Sequence, residues 1–81
     1  MKTDKYIIDV EIRGQEDVNE LRRLLDYYKH YGMEEPDLSQ FGTVRLMELD
    51  GELLFRRWMA SDFFSELMYS GIRISFRRVV D

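Results

Sequence analysis

Side chains suited to acid–base or nucleophilic chemistry are scarce in this chain, which has one histidine and no cysteine. Without cysteine there is no thiolate, no disulfide and no cysteine-type zinc site, which fits a reducing compartment. His30 follows Lys29 near the predicted end of a helix, where a cation suits the dipole and no strand brings it a fixed carboxylate. Ser39, Ser61, Ser65, Ser70 and Ser75 sit in no nucleophile elbow and in no Ser-x-x-Lys pattern. Glycine-rich phosphate loops are missing as well. The sequence therefore predicts no catalytic residue, no cofactor and no metal, and a chain that is not an enzyme.

The charged residues offer binding rather than catalysis. Glu16, Asp17 and Glu20 form one acidic group, and Glu48, Asp50 and Glu52 form another. Brought to a common rim they would present six carboxylates to a basic partner, as an inhibitor that imitates phosphates would. Taken separately, the first three suit a helix N-terminus and the others flank a turn. They do not follow the Asp-x-Asp-x-Asp-Gly pattern of a calcium loop. Arg45, Arg56, Arg73 and Arg77 around Trp58 would offer phosphate contacts beside a stacking ring, the makings of a nucleic-acid-binding sheet. Against that, Asp9 and Glu11 fall on a central strand, and the net charge is −4. The acidic excess lies wholly in residues 1–42, with ten acids against six bases, while residues 43–81 carry six of each.

These side chains need elements to position them. Tyr6, Ile8, Val10 and Ile12 alternate with Ile7, Asp9, Glu11 and Arg13, which is the period of a half-buried strand, ended by Gly14. Val18, Leu21, Leu24, Leu25 and Tyr28 follow at helical spacing, which predicts a helix from Glu16 to Tyr31, stopped at Gly32. Met33 to Gly42, polar and interrupted by Pro36, reads as a loop. Thr43 to Leu49 and Glu52 to Trp58 flank Asp50-Gly51, a pair that suits a type I′ turn between antiparallel strands. Ser61 is placed to cap a helix from Asp62 to Ser70, closed by Gly71, and Ile72, Ile74 and Phe76 alternate with Arg73, Ser75 and Arg77 in a last strand.

That order, β-α-β-β-α-β, predicts an α+β, ferredoxin-like two-layer sandwich. Its four-stranded antiparallel sheet has the order 4-1-3-2 and carries two helices on one face. At 81 residues the chain is expected to be a single domain. It has no signal-like leader and no long apolar run, so a cytoplasmic location with no membrane partner is expected. With the turn at Asp50-Gly51, Leu46 and Phe55 point under the helices. Ile7, Met47, Leu49, Leu54, Arg56 and Trp58 are then left on the outer sheet face. An uncovered apolar patch of that kind marks a partner site. The expected function is thus a non-catalytic protein-interaction module, a small adaptor or inhibitor, binding another protein or a second copy of itself.

Overall fold

In a computed structural model the described residues are 4–28 and 36–80. The predicted helix end at Lys29, His30 and Gly32, and the first part of the predicted loop, lie outside them. Three strands and three helices follow one another as β1 (Asp4–Ile12), α1 (Gln15–Tyr27), β2 (Gly42–Asp50), α2 (Gly51–Leu53), α3 (Phe63–Tyr69) and β3 (Arg73–Val80). Helix α2 runs straight into a π-helical stretch, Leu54–Trp58. The sheet has the order β2-β1-β3, and β1 is antiparallel to both neighbours.

This corrects the four-stranded sheet with two helices and the order 4-1-3-2. Only the general α+β class fits, and the segment read as a third strand is helical. A type I′ turn needs positive φ at both central residues. Asp50 instead has φ −73° and ψ 163°, and its carboxylate accepts the Leu53 N–H at 2.9 Å. Asp50 is thus a helix N-cap, which leads the chain out of the sheet. One further turn on, Leu54 and Trp58 are both buried. A separation of four residues keeps two side chains on one side of a strand and also on one side of a helix. Arg56, midway between them, separates the two cases, because a strand would hold it on their face. Its side chain is 79% exposed and pairs with Glu52, four residues earlier, at 3.4 Å. The wide turn closes with the Met59 N–H donating to the Leu54 carbonyl at 2.7 Å.

The remaining elements follow their patterns. Ile8, Val10 and Ile12 of β1 are buried beneath the helices, with Val18, Leu21 and Leu24 of α1 packed above. The Ser61 hydroxyl accepts the Phe63 N–H at 3.2 Å and donates to the Trp58 carbonyl at 2.7 Å, which turns the chain into α3. Helix α3 ends at Gly71 (φ 85°), where the amides of Gly71 and Ile72 donate to the carbonyls of Met68 and Leu67. Phe63, fully buried, is the hub of the helix layer. Trp58, Tyr28 and Phe64 all meet it edge-on, at ring centroid distances of 5.0, 5.5 and 5.2 Å.

Strand β2 carries an irregularity with large consequences. Met47 pairs with Ile8 and Arg45 with Asp9, so Leu46 is an extra residue in a β-bulge. The bulge reverses the alternation. Val44 and Leu46 face the helices before it, and Met47 and Leu49 do so after it, while Arg45 and Glu48 both face outward.

Trp58, the only tryptophan, reports this architecture directly. Its emission should be blue-shifted and weakly quenched by acrylamide in the native protein, moving to the red on unfolding. Trp58→Ala should cost about 3–5 kcal/mol in denaturant unfolding, and Asp50→Ala about 1 kcal/mol through the lost cap. An exposed, freely quenched tryptophan would contradict the helical placement.

Candidate interaction surfaces

The residues expected to form one outer partner face are dispersed. Met47, Leu54 and Trp58 are core residues, 6%, 2% and 4% exposed, and Leu49 is half-buried against the same core. Arg56 stands in solvent on the far side of the helical segment. Ile7 alone lies on the uncovered face, and there it is enclosed between Glu48 and Arg77 of the flanking strands. Phe55, expected inside, is more than half exposed, whereas Leu46 is buried as expected. The outer apolar patch centred on Trp58 therefore does not assemble, because the strand that would have carried it leaves the sheet at Asp50.

The acidic rim separates for a topological reason. In the predicted order β2 would end where α1 begins. In the structure β2 is paired directly and antiparallel to β1, so Asp50 lies beside Lys5 while α1 starts beyond Ile12. Seven residue steps of strand, about 24 Å, separate them. Most of these carboxylates also have local partners. Asp17 is held by Arg13, Glu20 by Arg23 and the Ser70 hydroxyl, Glu48 by Arg45 and Lys5, and Glu52 by Arg56. Asp50 serves as the cap of α2. Glu16 remains exposed in the first turn of α1.

The arginine set is divided too. Arg45, Arg73 and Arg77 share the outer sheet face, on either side of Asp9 and Glu11, but among the described residues of the sheet no aromatic ring accompanies them there. Trp58 is closed within the core and Arg56 belongs to the π-helical stretch, with its side chain in solvent. Stacking on a base would require the core to open.

Two surfaces emerge that the alternation alone does not reveal. The first is the outer edge of β3. Among the described residues no strand pairs with it, and it carries Arg73, Arg77 and Arg78 and no acid. Arg78 pairs with Asp4 at 3.6 Å, whereas no carboxylate among the described residues lies within ion-pair distance of Arg73 or Arg77. On the helix side of the same edge Phe76 is 45% exposed, although Phe64 meets its ring at 5.2 Å. Tyr6, diagonal to it on β1, makes an edge-on contact with the exposed Phe55 at 5.5 Å. Phe76 belongs to an alternating apolar row, so its sequence signal is that of a core residue. Among the described residues no strand neighbours it on the outer side. The second surface is the outer edge of β2, likewise unpaired among the described residues.

Searches against protein-family models, curated proteins and solved structures gave no match. Among the described residues no cluster of three His, Asp or Glu side chains is arranged to hold a metal ion. No helix among them is long and apolar enough to cross a membrane.

One polar cluster ties the elements together away from both edges. Asp17 accepts hydrogen bonds from the Arg13 amide (2.9 Å) and guanidinium (3.1 Å), and the same guanidinium donates to the Gly71 carbonyl at 3.0 Å. The start of α1 is thereby joined to the turn between α3 and β3. The Arg13 hydrogen bonds hold the Asp17 carboxyl below its ordinary range, and Arg23 does the same for Glu20. A carboxyl with a lowered folded pKa contributes stability above its unfolded value and loses it as pH falls through the folded one. Denaturant stability should accordingly fall below about pH 4. Asp17→Asn should be less stable than the native chain at neutral pH and show a shallower acid decline. Parallel acid limbs in the two proteins would remove Asp17 from this role.

Proposed function

We propose that the chain is a non-catalytic protein-interaction module that takes up an extended, acidic segment of a partner protein as an added strand on β3. The observation that carries this reading is an eight-residue edge strand with three arginines and no acid, whose outer side pairs with no strand among the described residues. An unpaired strand edge presents a row of amides and carbonyls, which a second chain satisfies by main-chain hydrogen bonds, and side-chain pockets then select the sequence. Like charges facing one another across strands are destabilising, so an edge of this composition disfavours its own copy and favours acids.

The period of two specifies the ligand further. Residues of an added strand that lie opposite Arg73 and Arg77 share the uncovered face and should be acidic. Residues opposite Ile74 and Phe76 look toward the helix side and should be apolar, with Phe76 and Tyr6 as their contact surface. The partner segment thus has two acids four residues apart, with apolar residues at alternate positions between them. Nothing in this scheme needs a reaction.

A synthetic ten-residue peptide alternating Glu and Val is a suitable probe. Titration calorimetry at low salt should show binding that weakens as salt rises, and a Lys–Val peptide of equal length should not bind. Combined Arg73→Glu and Arg77→Glu should lower the affinity about tenfold or more, from two cross-strand charge pairs reversed. Phe76→Ala should weaken it without changing its salt dependence. Failure of the native protein to bind the Glu–Val peptide at low salt would reject the reading.

A further inference from the structure

We infer that two copies of the chain join edge to edge through β2, about a two-fold axis passing between Leu46 and Met47. This surface is separate from the β3 edge and rests on different residues. The inward and outward sequence along β2 is symmetric about that point. Thr43 faces outward, Val44 inward, Arg45 outward and Leu46 inward, and Met47 faces inward, Glu48 outward, Leu49 inward and Asp50 outward.

Antiparallel pairing of β2 with its copy about this axis sets Arg45 opposite Glu48 of the other copy, twice. It also sets Val44 opposite Leu49 and Leu46 opposite Met47, each pair on a common face. The bulge is what permits this. In a regular strand residues three apart point to opposite faces, and Arg45 could not meet Glu48 across a dyad. Because of the extra residue the two already lie on one face, where they form an ion pair within the chain at 3.3 Å. In the dimer each Arg45 gains a second carboxylate and each Glu48 a second guanidinium.

The composition of the edge argues for a second copy as its occupant. Its outward charges, Arg45 against Glu48 and Asp50, include both signs in a mutually complementary order, so a two-fold axis brings unlike charges together. The half-buried Val44 and Leu49, which pack against the core from the margin of the sheet, would be covered by each other's copies. Opposite-charge and apolar cross-strand pairs are the units that stabilise such a junction. The result is one continuous antiparallel sheet of six strands, with the β3 edges at its two ends.

Light scattering coupled to gel filtration, with circular dichroism to confirm the fold, tests this on the whole chain. The native protein should run at twice its 9.8 kDa mass. Arg45→Glu and Glu48→Arg should each run at the mass of one chain, since each places like charges across the axis. An equimolar mixture of the two should recover the double mass, because every cross-axis pair is then unlike. The doubly reversed chain, Arg45→Glu with Glu48→Arg, should also be dimeric, and it keeps the test open should either single reversal fail to fold. A native protein that stays at single mass up to about 1 mM, single reversals that remain dimeric, or a mixture that fails to recombine would each overturn the inference.

Discussion

The carboxylate of Asp50, accepting the Leu53 amide at 2.9 Å, decides where the chain leaves the sheet, and the rest of the architecture depends on that departure. Had the backbone turned back at this point, a third strand would have lain beside β2 and Trp58 would have stood on a sheet face. Capped instead, residues 51–58 rise as a helical segment, and Leu54 and Trp58 go down into the core beside Phe63. With that segment gone from the sheet, β2 pairs directly with β1 and runs antiparallel to it. Strand β1 takes the centre, and both flanking strands become edges. The separation of the two acidic groups and the burial of Trp58 both follow from one capped helix start.

The bulge at Leu46 is the second constraint, and it serves the core first. Strand β2 has to bury Leu46 and Met47, neighbours in sequence, against the same helices, which regular alternation forbids. One extra residue resolves the conflict by leaving Leu46 out of the pairing with β1, and both side chains go inward. The cost is a local break in the ladder. Its by-product is that Arg45 and Glu48 share a face, so the surface chemistry of this edge is a consequence of how the core is filled.

How far the sequence discloses this structure depends on whether a pattern has one physical solution or two. Alternation in β1 and β3, and the apolar stripes of α1 and α3, each fit a single period, and these elements form where the spacing puts them, although α1 ends at Tyr27 rather than Tyr31 and β3 runs on to Val80. Gly71 acts at the end of α3 as its chemistry predicts, whereas the N-cap is Asp62, and Ser61, one residue before it, accepts the Phe63 amide. Asp50-Gly51 is ambiguous in principle, because aspartate before glycine suits a tight turn and a helix cap alike. Leu54 and Trp58 then fit either period. The pairing of Glu52 with Arg56 at four-residue spacing was the available signal for a helix, and it outweighs the alternation only when it is counted. From that one segment come the errors in strand number, strand order and the outer face. Exposure of Phe76 was not legible from its local pattern, which is that of a core residue.

The two edges differ in a way that bears on how an open three-stranded sheet remains a discrete object. A strand edge is a hazard when it accepts any other edge, and protection comes from charge and from irregularity. Strand β3 is protected by uniform charge, since its own copy offers its arginines no carboxylate and, paired about Ser75, sets Arg73 against Arg77. Strand β2 is protected by shape, because its bulge interrupts a ladder with a long regular strand. Its own copy, rotated about the bulge, matches it in both face and charge. An isologous contact of that kind closes on itself, whereas pairing β2 with the β3 of another copy would leave a free edge at each end and propagate. Self-association through β2 therefore ends at two chains, and the edges left at the rim of the joined sheet are the arginine-bearing ones. A partner with acidic, extended character is then what the remaining hydrogen-bonding groups of the sheet are suited to receive.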